Sequence, residues 1–293
     1  MLADASCLPY ALKLGEPNMK KRLAAAIAAA MLSVGVAHSA DLYQPEPAPM
    51  LNAPEVTVQE SSGWYLRGDA GYSFNRVRGA EFFQGSNSNM VDFSHTDLKD
   101  SFVLGGGVGY QINNYLRTDL TFDYLGKSDF RGGTNGFCGT VACSSEDRTS
   151  MRAYSLMANA YVDLGTYGYF TPYVGGGIGG SYVKWDKLRN TICDDPSAPG
   201  CYTTEHGDKG KWRLSYAIMA GTTVDITCNL KADIGYRYRY IVGGDMFGYA
   251  DNGGPGRDKG ISSHEARIGA RYNFSGCDTP AAYEPEPAPL VYK

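Results

Sequence analysis

The side chains of this 293-residue chain best suited to chemistry are charged, and they recur at every second position. Arg67 and Asp69, then Arg117, Asp119 and Asp123, then Lys231, Asp233, Arg237 and Arg239, then Glu265, Arg267 and Arg271 each alternate with apolar, aromatic or small residues. Arg213, Asp163 and Asp225 sit in runs of the same kind. A period of two puts such a set on one face of an extended strand. Charges gathered on an enclosed face can neutralise one another, because an unpaired buried charge is costly, or they can line a path for ions. A selective path calls for an excess of one sign. Eight basic residues against seven acidic ones nearly cancel, so mutual pairing is the expectation and a narrow, gated diffusion path is the alternative.

Little else in the chain suggests chemistry. His95, His206 and His264 fall in or beside expected connections, with no nucleophile–base spacing and no pair of metal ligands nearby. Neither enzymatic activity nor a cofactor is expected. Gly175-Gly176-Gly177-Ile178-Gly179-Gly180 fits the G-x-G-x-x-G pattern of nucleotide loops, but it lies inside an alternating segment and no helix follows. Glycine at these positions instead leaves room for bulky neighbours. The net charge of −4 argues against a nucleic-acid partner.

The elements that must carry the charged face come in a regular series. Alternation covers Trp64–Phe74, Phe102–Ile112, Leu116–Tyr124, Tyr154–Val162, Pro172–Tyr182, Trp212–Ile226, Leu230–Tyr240 and His264–Phe274, which predicts eight strands. In Leu230–Tyr240 one face reads Leu, Ala, Ile, Tyr, Tyr, Tyr and the other Lys, Asp, Gly, Arg, Arg. These strands are long enough to cross a bilayer, which takes about 9–11 residues. The connections alternate: 76–100, 128–149, 188–211 and 242–262 are long, whereas 113–114, 165–170 and 227–229 are short. Long and short connections in strict alternation are the pattern of a transmembrane barrel. No open sheet edge can face lipid, so the sheet must close.

The first 40 residues fit that destination. Met19-Lys20-Lys21-Arg22 precedes an apolar run, Leu23–Val36, which is too short to span a bilayer. Small residues follow, so 1–40 reads as a secretory signal peptide that starts at Met19 and is cut between Ala37 and Ala40. Removing it leaves 23 basic and 29 acidic side chains, a net charge of −6. Residues 41–62 and 275–293 are proline-rich and share the repeat PEPAP, leaving 63–274 as the barrel.

The sequence resembles the small outer-membrane β-barrel proteins of the OmpA-like and surface-antigen type found in Gram-negative bacteria, especially alphaproteobacteria. The residues that carry the resemblance are Gly63–Tyr72 (GWYLRGDAGY), Thr171–Gly177 (TPYVGGG) and Ala266–Phe274 (ARIGARYNF). It implies an all-β, eight-stranded antiparallel up-and-down transmembrane barrel in the outer membrane, with long extracellular loops, short periplasmic turns and both termini periplasmic. The function it implies is structural: a surface antigen that maintains the envelope and presents its loops. Alternatives are a small porin-like diffusion channel, or a haem- or host-receptor-binding surface protein using loop histidines such as His95 or His206. Partners on this reading are outer-membrane lipid, the barrel-assembly machinery reading Phe274 as a signal, and peptidoglycan or a periplasmic protein meeting the proline-rich tails. The family usually ends on the terminal aromatic, whereas here 19 residues follow Phe274.

This topology also sorts the six cysteines left after cleavage. Cys138 and Cys143 share the second long loop, Cys193 and Cys201 the third, and Cys228 and Cys277 the periplasmic side, so these three disulfides are expected. Aromatic girdles are expected at both rims: Trp64, Tyr110, Tyr115, Tyr173, Tyr272 and Phe274 on the periplasmic side, and Tyr124, Tyr182, Trp185, Trp212 and Tyr240 on the outer side.

Overall fold

The computed structural model describes residues 62–84, 89–138, 141–193, 200–251 and 253–275. The expected signal segment 1–40, both proline repeats and Cys277 lie outside the described residues. The strands are β1 (Gly63–Val77), β2 (Ala80–Gln84), β3 (Asn89–Asp92), β4 (His95–Leu98), β5 (Ser101–Gln111), β6 (Leu116–Cys138) and β7 (Val141–Asp163). They continue with β8 (Phe170–Trp185), β9 (Leu188–Cys193), β10 (Cys201–His206), β11 (Lys209–Asp225), β12 (Leu230–Phe247) and β13 (Gly256–Asn273). Every pairing is antiparallel, and β1-β5-β6-β7-β8-β11-β12-β13 form an eight-stranded ring that β13 closes onto β1.

The ring forms because the alternation is satisfied on both faces at once. Outward positions such as Leu104, Phe122, Ile178, Leu214, Ile218 and Ile268 are apolar, and Ile178, Ile218 and Ile268 are each at least 60 % exposed. That much bare aliphatic surface on every strand suits a hydrocarbon solvent rather than water. Inward positions carry the charges and glycines such as Gly105, Gly107, Gly175 and Gly177.

Three tight turns close one end. Asn113 makes the first, its Oδ1 accepting from the backbone N–H of Tyr115 (2.9 Å) and Leu116 (2.8 Å). Gly165 and Gly168, at φ +102° and +66°, take the left-handed conformations of the second, which glycine adopts without a Cβ penalty. Thr227 Oγ1 accepts from Leu230 N–H (3.0 Å) in the third.

The opposite end differs from the sequence expectation. Its long connections are mostly strand. β6 and β7 stay paired up to Cys138 opposite Val141, so the expected 128–149 loop is a protruding hairpin with one bulge between Leu125 and Ser128. β9 pairs with both β7 and β10, and β4 pairs with β6, giving a sheet in the order β10-β9-β7-β6-β4 that stands beyond the ring. β12 and β13 extend to Phe247 and Gly256. The physical reason is that a hairpin, once paired in register, continues to satisfy its backbone groups past the apolar belt.

Candidate functional site

The inward face builds three layers from the turn end to the hairpin end. Near the turns, Arg117 pairs with Asp163 (3.1 Å) and lies between the rings of Tyr161 and Tyr173, at 4.4 and 4.5 Å from their centroids. Arg271 meets Asp233 (3.5 Å) and stands over Tyr65 (5.1 Å). Lys231 pairs with Asp225 (2.7 Å) at the partly open rim.

The middle layer is a connected network. Arg67 donates to Asp119 (2.9 Å) and to Tyr161 Oη (2.9 Å) and lies 3.3 Å from Asp69. Asp123 accepts from Arg237 (2.6 Å) and Arg267 (2.6 Å), with Arg239 at 3.5 Å. Glu265 holds Arg239 (2.8 Å) and Arg267 (3.1 Å), and Arg267 also contacts Asp69. Ser155, Ser181 and Ser215 chain together at 2.6 Å per step, and Arg239 donates to Ser155 (2.8 Å). Asp123, Arg239 and Glu265 are fully buried. A cavity of about 20 Å³ beside Arg67, Asp69, Arg237 and Arg267 has room for one water.

The third layer, toward the hairpins, is not charged as the sequence reading expected. Leu98, Val103, Leu125, Phe130, Met151, Val183, Trp185, Leu188, Ile241, Met246, Phe247 and Ile261 pack into one buried apolar cluster inside the mouth of the ring. Arg213 lies at its side, paired with Asp258 (2.6 Å) and donating to Asp245 O (2.5 Å). Asp258 escapes the sequence reading because it falls in an expected loop. The alternation slips by one residue at Gly260, whose φ is +120°, and this brings Asp258 to the inward side. With it, eight cations (Arg67, Arg117, Arg213, Lys231, Arg237, Arg239, Arg267, Arg271) face eight carboxylates (Asp69, Asp119, Asp123, Asp163, Asp225, Asp233, Asp258, Glu265), each in at least one ion pair.

Glycine makes this filling possible. A Cβ on Gly105 would collide with Arg267, Asp123 and Asp69, and one on Gly175 would meet the Tyr161 ring at 2.6 Å. In the G-x-G-x-x-G stretch, Gly175 and Gly177 therefore accommodate the lumen side chains Tyr161 and Asn159, while Gly180 lies outward against Trp212.

Two aromatic assignments need correction. Tyr173 and Trp185 were expected in the girdles, but both point inward, Trp185 with no exposed surface. They share the odd-numbered face of β8 with Ser181 and Val183, and position along the strand misled where parity decides. Trp64, Tyr110, Tyr115, Tyr272 and Phe274 are exposed at the turn end, and Trp212 is exposed toward the hairpin end. Phe274 follows the last strand and its N–H donates to Trp64 O (3.0 Å).

The histidines also part from expectation. His264 lies within β13 on the outer face, its Nδ1 2.6 Å from Tyr236 Oη. His206 is buried against Phe247 (4.9 Å), with Nδ1 3.0 Å from Gly248 O, so it is not available to a ligand at the surface. His95 is exposed, in β4 opposite Gly133. Among the described residues no group of three or more His, Cys, Asp or Glu is arranged to hold a metal ion.

The Cys193–Cys201 disulfide joins opposed residues of β9 and β10. Cys143 and Cys228 are disulfide-bonded as well. The partners expected for them, the Cys138 side chain and Cys277, lie outside the described residues. Beyond the ring, burial pushes the Asp147 carboxyl up to about 6, partly offset by hydrogen bonds from Asn190 (2.8 Å) and Ser145 (3.5 Å).

Comparison with known proteins finds relatives by sequence and by structure. An uncharacterized protein of Brucella abortus is 36 % identical over 86 % of this chain and 98 % of its own length. A Rickettsia prowazekii candidate adhesin is 30 % identical over 60 % of this chain and 70 % of its own. Among solved structures, Neisserial surface protein A aligns with 73 % of this chain and all of its own at 18 % identity and a TM-score of 0.39. Residues 26–274 match the family described as outer membrane protein beta-barrel domain, and with the closed eight-stranded ring and its lipid-facing exterior in view, the chain belongs to that family of Gram-negative outer-membrane barrels.

Proposed function

We propose that this outer-membrane barrel is a sealed scaffold that presents a rigid β-sheet platform to the exterior and conducts nothing. The observation that carries the proposal is the filling of the lumen. Its charges are paired eight to eight, and the ring's mouth is closed by the apolar cluster around Leu125, Met151, Trp185 and Ile241. Ions would have to cross a dry apolar layer, which is a strong barrier. In contrast, β6 and β7 project from Ser128 to Cys138, about 35 Å of strand at the usual rise per residue. Work spent on a rigid projection fits recognition at the cell surface. The candidate-adhesin description of the Rickettsia relative is consistent with that role.

On this reading the hairpin end faces outward and both termini are periplasmic. Phe274, exposed at the end of the last strand, is the residue we assign to recognition by the barrel-assembly machinery. The proline-rich segments 41–62 and 275–293 would then meet peptidoglycan or a periplasmic protein. An epitope inserted between Gly139 and Thr140 should bind antibody on intact cells, and one appended after Lys293 only after permeabilisation. The reverse pattern would defeat the orientation and the platform with it.

A further inference from the structure

Three cross-strand pairs on the projecting side oppose like charges. Arg152 of β7 faces Lys184 of β8, and Arg148 of β7 faces Arg131 of β6 on one side and Arg189 of β9 on the other. Directly opposed like charges destabilise a sheet, so a row of them calls for a neutralising anion. Carboxylates supply part of it. Asp186 takes Lys127 (3.7 Å) and Arg152 (3.0 Å), Glu146 takes Arg148 (2.7 Å) and Glu205 takes Arg189 (3.1 Å). Among the described residues neither Arg131 nor Lys184 forms an ion pair, although Asp97 of β4 stands opposite Arg131 in the register; Lys184 faces no carboxylate on either neighbouring strand. The strip borders an open groove of about 740 Å³.

The height of the strip identifies the anion. Tyr124, Tyr154, Tyr182 and Trp212 form an outward aromatic row on β6, β7, β8 and β11, with ring separations of 5.2 Å for Tyr124–Tyr154 and 5.7 Å for Tyr182–Trp212. Such rows mark the membrane–water interface. Arg152 and Lys184 are the next outward residues toward the hairpins, two positions and therefore about 7 Å further along the strands. That is headgroup depth, with Arg148, Arg131 and Arg189 standing above. A soluble polyanion would have no reason to need cations level with the bilayer surface.

We propose that this strip binds the phosphate groups of a phosphorylated glycolipid in the outer leaflet. The assignment of that leaflet rests on the orientation proposed above. The test reads the purified full chain, so its failure and a failure of orientation are distinguishable. The chain is refolded in neutral detergent, and lipid retention is followed by native mass spectrometry with three probes: a diphosphorylated diglucosamine lipid, the same lipid dephosphorylated, and a soluble sulfated oligosaccharide. The phosphorylated lipid should be retained about tenfold better than its dephosphorylated form, as charge-assisted contacts predict. The double variant Arg152→Gln/Lys184→Gln should lose about that factor, while Arg257→Gln, on β13, should not. In the absence of lipid the double variant should melt close to the parent, because the Arg152–Lys184 repulsion it removes offsets the exposed Arg152–Asp186 pair it gives up, and Asp186 keeps Lys127 (3.7 Å); this separates lost binding from lost folding. Equal retention of the two lipids, unchanged retention by the double variant, or capture of the sulfated oligosaccharide in preference to the lipid would each overturn the proposal.

Discussion

Replacing Asp123 by asparagine keeps the shape of the side chain and removes the charge at the centre of the lumen. Three buried arginines lose a shared counter-ion, but not equally. Arg239 keeps Glu265 at 2.8 Å, and Arg267 keeps Glu265 at 3.1 Å together with Asp69. Arg237 pairs with Asp123 at 2.6 Å and with no other carboxylate among the described residues. The loss therefore falls mainly on one fully buried guanidinium, and breaking such a pair by removing one partner costs about 3–5 kcal/mol. The asparagine amide adds to it, because its N–H₂ donors face further donors. Replacing Arg237 by glutamine as well should return most of the loss, since the orphaned charge is then gone. Urea unfolding of refolded protein in lipid vesicles, followed by the fluorescence of Trp64, Trp185 and Trp212 and by heat-modifiable gel migration, measures both. The single variant should lose about 3 kcal/mol or more, and the pair should show a coupling above about 2 kcal/mol. A loss under about 1 kcal/mol with no coupling would mean that water reaches Asp123, and the sealed-lumen argument would fail.

Three further outcomes follow from other parts of the molecule. Gly179→Ala places a Cβ into the Leu156 carbonyl and the Met157 Cα, and should cost about 1–3 kcal/mol in the same unfolding assay. Gly68→Ala, with nothing within 4 Å of its new methyl, should be close to neutral. For Asp147 the folded pKa, about 6, lies above the ordinary value of 3.8, so folding favours the protonated form. That stabilisation is complete below about pH 4, is lost as pH rises through about 6, and amounts to at most about 3 kcal/mol. Amide exchange in β9, corrected for intrinsic rates, should be slower at pH 5 than at pH 7.5, and Asp147→Asn should remove the difference. Reducing Cys193–Cys201 releases a short closed loop worth about 2.5 kcal/mol. It should speed exchange in the β9–β10 hairpin and leave the global unfolding midpoint in place; a lowered midpoint would show that the hairpin and ring unfold together.

The ring was legible in the sequence because its two solvents are so different. Lipid outside demands an apolar residue at every second position, and the alternation of Leu230–Tyr240 states this plainly. Past the bilayer the outer face of β6 and β7 turns polar, with Asp129, Arg131, Glu146 and Arg148, while the opposite face mixes buried Phe130 and Asp147 with Gly132 and Thr134, so the strand loses its signature although its pairing continues. The inward positions of the charged side chains follow from parity alone, and parity would also have sent Tyr173 and Trp185 inside had it been preferred to position along the strand. Asp258 was beyond reach, because the slip at Gly260 breaks the alternation that would have revealed it. The apolar cluster at the mouth was hidden for a related reason: Leu98, Phe130, Leu188, Met246 and Phe247 come from segments that read as loops, and only the folded hairpins gather them. The like-charged pairs of β6, β7, β8 and β9 depend on register, which the sequence does not print.

The central claim is that the lumen is closed by paired charge and by an apolar cap. Single-channel recording of the refolded chain in a planar bilayer tests it most directly. The account predicts a silent membrane from protein whose heat-modifiable migration shows a folded barrel, and openings in a variant with the cap removed, such as Leu125→Ser/Met151→Ser. Stable, reproducible openings of the unmodified protein would contradict it and make the arginine–carboxylate layers a path for ions.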